Sequence, residues 1–337
     1  MIRIKQNTSK LGQAASALFL FLLISPHVAG QGENLYSPAV FIGELTLPGT
    51  GNQFLRPARI LVDHSSDEIL VADRGNNRIV IFDQGGVYNF DFSVGEYCGV
   101  PTDIAVDSTG RIYLLGSTSK GKRIFVFDYD GIYLNDLGLR IGAENEFPGI
   151  EAIAIDDNDF LFALDARSYR IAVFDLSGSF LREFPVLADI RDDERAEIPL
   201  MSFTINGDDI YIPAPIAGTV YRYDRRGNLL NFIGHRGATS GELNFPISVS
   251  LTQDNIVLVL DKHRFVVVCY TRDGRFLGEF GGKGINPGWF YHPSWMDVDS
   301  DNRIYIGQVF QNKIQICGLP EFIKSGKNMT VGDDRLN

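Results

Sequence analysis

Short apolar runs, most of four to six residues, recur along the chain with polar breaks between them. Residues 57–63 read PARILVD, 68–73 EILVAD, 78–83 RIVIFD and 86–92 GVYNFDF. The runs are rich in Val, Ile, Phe and Tyr and are bounded by Gly, Asp, Asn and Pro, so they read as strands and not helices. The set of four is then repeated. PTDIAVD ends at Asp107, IEAIAID at Asp156, LMSFTIN at Asn206, PISVSLT at Thr252 and PSWMDVD at Asp299. With Asp63, these ends lie 44 to 50 residues apart. Four strands in each 40–50-residue repeat describe a propeller blade.

The sixth copy stops after its third run, KIQIC from Lys313, and leads into Cys317-Gly318-Leu319-Pro320. Residues 40–47, VFIGELTL, stand before the first copy and look like the missing fourth strand. The expected architecture is therefore all-β: a six-bladed β-propeller of four-stranded antiparallel blades, closed by an N-terminal strand that completes the last blade and leaves no long open edge.

The first strand of each blade should lie nearest the axis. Its third residues are Arg59, Asp103, Ala152, Ser202, Ser248 and Trp295, and two positions on come Leu61, Ala105, Ala154, Thr204, Ser250 and Asp297. Small or polar side chains dominate, as a crowded axis requires. The intervening Ile60, Ile104, Ile153, Phe203, Val249 and Met296 are apolar throughout and should pack between blades.

Over residues 40–319 the repeats resemble the NHL family of β-propellers. The resemblance rests on two blade-linking loops, Gly234 through Gly237, Gly241 and Phe245 to Pro246, and Gly281 through Phe290 to Pro293. It rests also on VADRGNNRIVIFD, Val71 to Asp83, in which Asn77-Arg78 opens the third strand. It is weak in the fourth blade, where Pro213 and Pro215 interrupt. The resemblance implies that the loops between blades share one face with the loops between second and third strands. That face would carry Asp73, Arg74, Arg78, Arg167, Arg170, Asp261, Lys262 and His263. Recurrence of Asp73, Asp165 and Asp261 at one repeat position points to a turn-pinning role, since a ligand site breaks repeat symmetry and a fold element obeys it.

Asymmetry marks the remaining candidates. Arg59, Asp103, Glu151 and Trp295 break the ring's pattern; they read either as a pocket, two of whose carboxylates could bind a cation, or as buried ion pairs. With Arg74, Arg167, His263 and His292 they make up the candidate channel-mouth site. Residues 186–198, VLADIRDDERAEI, are a charged insertion with room for a short helix. His235, His263 and His292 fall in loops of the shared face, and His64 in a turn on the opposite one. Three imidazoles could hold zinc, as resemblance to the peptidyl-hydroxyglycine amidating lyases would have it, although these histidines are 28 and 29 residues apart and no local spacing supports it.

Composition narrows the class. The 337 residues carry 31 Lys+Arg against 42 Asp+Glu, a formal charge of −11, which argues against nucleic acid as a partner. Arg3, Lys5 and Lys10, the apolar run AASALFLFLLI at 14–24 and Val28-Ala29-Gly30 have the order of a secretory signal. Residues 1–30 are thus expected to be an export signal, 31–319 the propeller and 320–337 a flexible tail. Removing the signal takes the charge to −14, and the mature chain has no transmembrane-length run. Cys98, Cys269 and Cys317 read as small buried hydrophobes, the last two at one repeat position. P-loop, Ser-elbow, H-E-x-x-H and haem C-x-x-C-H signatures are lacking. The expected function is an exported scaffold, periplasmic or on the outer surface, that presents its loop face to another protein or a cell-envelope glycan. It carries no resident cofactor. The alternative is a zinc- or calcium-dependent lyase or lactonase at the channel mouth.

Overall fold

A computed structural model describes residues 37–324 except 120, 142–144 and 147–148; the expected export signal lies outside them. The described residues build six four-stranded antiparallel sheets arranged as blades in a ring. The innermost strands are Pro57–Asp63, Val100–Val106, Ile150–Ile155, Thr204–Asn206, Pro246–Leu251 and Pro293–Val298. Blades 1 to 5 each use four consecutive strands. Blade 6 runs Pro293–Val298, Ile304–Gln308, Lys313–Gly318 and then Val40–Glu44.

The closing strand pairs antiparallel with Lys313–Gly318, with Val40 opposite Gly318 and Glu44 opposite Gln315. Leu45 N–H adds a bond to the Ile314 carbonyl at 3.0 Å, and Lys313 reaches Glu44 at 3.3 Å. Closure therefore joins the two ends of the repeat array by main-chain hydrogen bonds.

Six hydrophobic clusters fill the six seams between neighbouring blades. Ile60, Val80, Phe82, Trp295, Tyr305 and Leu45 pack between blades 6 and 1, and Leu258, Val267, Cys269, Met296 and Cys317 between blades 5 and 6. The apolar intervening residues of the first strands, Ile60 through Met296, are buried in these seams. Alternation along each first strand thus sends one residue into a seam and the next toward the axis.

Recurrent side-chain caps explain the repeated Asp. In first-to-second-strand hairpins, Asp107 accepts N–H bonds from Thr109 and Arg111 at 2.9 Å, and Asp156 from Asn158 and Phe160 at 3.0 and 2.9 Å. In third-to-fourth hairpins, Asp83, Asp128, Asp175 and Asp224 cap in the same way. Each is a short acceptor satisfying turn N–H groups that the ladder leaves unpaired.

Two particulars depart from expectation. Cys269 pairs across from Leu258 and Cys317 from Ile304, so Cys269 corresponds to Ile81 and Cys317 to Phe82 of blade 1. They do not share a repeat position; Arg264 is a residue of the fifth blade's 2–3 turn, which is as long as that of blade 1, and the third strand begins at Val266. Both are buried, as expected of small hydrophobes, and burial pushes the Cys317 thiol up to about 12. Second, Glu321–Lys324 forms a helical turn whose Ile323 is buried in the blade 5–6 seam, so ordered packing continues past 319. The 186–198 insertion does contain a turn of helix, Asp192–Arg195, while Val186, Leu187 and Ile198 are buried beneath it. In blade 4 the first strand pairs only as far as Tyr211, so no ladder on that side needs an N–H from Pro213. No helix among the described residues is long and apolar enough to cross a membrane.

Candidate functional site

The axis is built by a backbone irregularity. In blades 1, 2, 3, 5 and 6 the innermost strand carries a register shift near its start, as between Pro57 and Arg59 or Pro101 and Asp103. A bulge re-aims the side chains that follow it. Three of the expected residues meet beyond it. Arg59 Nε lies 2.9 Å from Asp103 Oδ1, and the guanidinium carbon sits 3.7 Å from the Trp295 ring centroid. Asp103 also accepts the N–H groups of Ile104 at 3.0 Å and Ile153 at 2.9 Å. Burial raises its carboxyl above the ordinary range, against the pull of Arg59 and those two N–H groups. Glu151 is not part of this group. It is the residue bulged out between Ile150 and Ala152, and it pairs with Lys122 at 2.6 Å.

Arg59 and Trp295 form the floor of a cavity of about 440 Å³. Its walls are the second inward positions, Leu61, Ala105, Ala154, Thr204, Ser250 and Asp297. It widens toward the first-to-second-strand hairpins, on the face opposite the inter-blade loops.

The other expected residues lie on the loop face. Asp73, Asp165 and Asp261 turn inward and clamp the loops. Asp73 accepts Leu55 N–H at 2.7 Å, and Asp261 accepts Asn244, Phe245, His263 and Arg264 N–H groups at 2.6 to 3.0 Å. Gln308 does the same for Tyr291 N–H at 2.7 Å in blade 6. Arg78 is spent on Asp73 at 2.8 Å and Arg170 on Glu183 at 2.9 Å. Arg74 and Arg167 are exposed, in blades 1 and 3. The histidines have separate partners. His235 faces Glu242 at 3.5 Å, His263 contacts Asn244 Oδ1 at 3.0 Å and stacks on Phe245 at 4.4 Å, and His292 meets Tyr291 and Phe310 edge-on at 4.5 and 4.7 Å. Among the described residues no three His, Cys, Asp or Glu side chains are placed to share a metal ion.

What sequence reading missed is an aromatic patch on the loop face of blades 5 and 6. Phe265 lies 6.5 Å from Tyr291, nearly parallel, and 5.8 Å from His292, with Lys283 Nζ 5.8 Å from its ring centroid. Phe310 beside His292 is 68% exposed and Ile285 65% exposed. Lys313 bonds the Ile285 carbonyl at 3.3 Å and so ties the 281–293 loop to the 308–313 turn. The loops are rigidly framed. Leu243 and Phe290 are buried plugs, and a Cβ at Gly281 (φ 102°) would fall 2.4 Å from the Phe290 ring. One signal was available in the sequence. Asn77 and Asn312 occupy a left-handed slot before the third strand, and the same slot in blades 3 and 5 holds Tyr169 and Phe265 at φ 52° and 60°. Bulky residues are uncommon there. The structure holds aromatics where the repeat favours Asn.

With this geometry in hand, comparison with known proteins gives the following. Residues 54–82 match the NHL repeat family, and residues 99–190 match a family described as a 6-bladed beta-propeller. The Drosophila melanogaster protein brain tumor is 27% identical over 139 residues, 39% of this chain; the chain spans only 12% of that protein's length. Among solved structures, streptogramin B lyase aligns with a TM-score of 0.54 at 14% identity over 77% of this chain and 78% of that one. A catalytically inactive virginiamycin B lyase from Staphylococcus aureus with quinupristin gives 0.56 at 15% over 81% and 83%. A structural-genomics protein of unknown function from Bacteroides thetaiotaomicron gives 0.60 at 14% over 83% and 75%. At these identities the likeness is one of fold.

Proposed function

We propose that this NHL-repeat six-bladed β-propeller is an exported interaction scaffold that presents the loop face of blades 5 and 6 to another protein. The observation that carries the reading is the patch in which exposed Phe310 and Ile285 stand beside half-buried Phe265, Tyr291 and His292 on clamped loops. Aromatic side chains give large contact area at small entropic cost, and exposed apolar clusters on a rigid frame mark interaction sites. Export is supported by the basic, apolar and small-residue order of residues 1–30. The charge of −14 left once the export signal is removed favours a partner with a basic surface.

The test is chemical crosslinking and capture from the cell envelope. Wild-type protein is expected to recover a defined partner. Phe310→Ser with Ile285→Ser is expected to lose it, and His64→Ser, in the hairpin on the opposite face, to keep it. Equal recovery by all three proteins overturns the assignment of the face.

A further inference from the structure

The central cavity is separate from the loop-face patch, and its charges are arranged with polarity. At the floor, Arg59 is only 6% exposed, and its Nε–H is buried without a hydrogen bond among the described residues. Asp103 contacts Nε as a charge at 2.9 Å, but the N–H is not directed at it, and its own oxygens are held by Ile104 and Ile153. Buried donors of this kind are rare in native proteins and ask for a partner. Trp295 covers one face of the guanidinium at 3.7 Å, which fixes its plane while leaving the N–H edge free. The rim has the opposite sign. Asp63, Asp107 and Asp156 stand there, and while Arg225 pairs with Asp156 at 2.6 Å, Asp63 and Asp107 accept only neutral donors, from Ser65 and Ser66 and from Thr109, Arg111 N–H and Tyr113, so that among the described residues their charge has no cation partner.

We infer that the cavity binds a short, unblocked peptide, its C-terminal carboxylate on the Arg59 guanidinium and its N-terminal ammonium between Asp63 and Asp107. A planar guanidinium with a free edge matches a carboxylate in two parallel hydrogen bonds. The negative rim excludes simple anions and admits a ligand whose outer end is positive. Length selects the class. Arg59 and Asp63 are four residues apart on one strand, about 13 Å at ~3.3 Å per residue. An extended peptide of roughly three residues at ~3.3–3.6 Å each spans it. The 440 Å³ volume lies within the ~300–1,000 Å³ usual for small-ligand sites. The small walls, Ala105, Ala154, Thr204 and Ser250, leave room for side chains; the Thr204 and Ser250 hydroxyls donate to Val249 and Asp297 and keep their oxygens as acceptors for peptide N–H groups.

Titration calorimetry at low salt tests this with three probes: trialanine, N-acetyl-trialanine and trialanine amide. Methyl side chains keep steric clash out of the comparison. Trialanine is expected to bind, and each blocked form to bind at least ~10-fold more weakly, since each loses one charged contact. Arg59→Met is expected to abolish binding. Should that variant fold poorly, Ala154→Leu fills the cavity without touching the ion pair and is expected to abolish binding too. Phe310→Ser is expected to leave trialanine binding unchanged, which keeps this inference independent of the loop-face reading. No binding of trialanine up to ~10 mM, equal binding of all three probes, or undiminished binding to Ala154→Leu would each overturn it.

Discussion

Removing one buried side chain from the closing strand separates a ring that is locked from one that is merely covered. Leu45 is 4% exposed and packs in the blade 6–1 seam with Phe54, Ile60, Tyr305 and Ile316. Its Cδ2 lies 3.2 Å from where a Cβ on Gly86 would stand, so it touches the outer hairpin of blade 1 as well as its own blade. Leu45→Ala in a packed seam costs about 2–5 kcal/mol. For a domain of this size, at roughly 2–4 °C per kcal/mol, Tm should fall by ~4–20 °C. Ile42, on the same strand but 53% exposed, is the internal control; Ile42→Ala should stay within about 0.5 kcal/mol. Urea unfolding measures both, and an unchanged m-value shows that the loss is one of stability. If Leu45→Ala costs no more than Ile42→Ala, or a chain lacking residues 31–47 unfolds at the full-length midpoint, the closing strand does not carry the ring.

Burial pulls Asp209 upward, but hydrogen bonds from Arg272 and Arg222 outweigh it and hold the carboxyl below its ordinary value, across the blade 4–5 seam. A lowered folded-state value stabilises above the unfolded carboxyl pKa near ~3.9 and is lost as pH falls through the folded one. Asp209→Asn should therefore cost about 1.5–3 kcal/mol at neutral pH, with the gap to wild type closing below about pH 4 in urea melts. All three cysteines are buried, and burial raises each thiol, Cys98 to about 12. A thiol reagent should find none of them in folded protein and all of them in denaturant; a fast-reacting thiol in native protein would contradict this packing. Purified protein should contain less than ~0.1 zinc or calcium per chain under the scaffold reading, and close to one per chain would favour the lyase or lactonase reading instead.

The blades were legible because strand periodicity, turn-capping Asp and the ring's missing strand are local or arithmetic signals. Asp83, Asp128, Asp175 and Asp224 announce their hairpins directly, and residues 40–47 fill the one vacant strand position. The site was legible only in pieces. Arg59, Asp103 and Trp295 stood out by breaking the repeat, and they do meet. Glu151 broke it too, yet a one-residue bulge turns it outward to Lys122, and bulges leave no mark in a pattern of apolar and polar residues. The aromatic patch was obscured because Phe265, Tyr291 and Phe310 sit in loops 19 to 45 residues apart, joined only by the angle between blades. Cys269 and Cys317 were misaligned because Arg264 lies within the fifth blade's 2–3 turn and does not open its third strand, which begins at Val266; a leading Arg is not a reliable strand marker.

The assignment of the loop face is tested most directly by where a bound partner touches the ring. A photoreactive phenylalanine analogue placed at Phe310 should give a covalent adduct with the partner on illumination in the cell envelope. The same analogue at Phe232, exposed on the outer strand of blade 4, should give none. Adducts from 232 and not 310, or from both alike, would contradict the account.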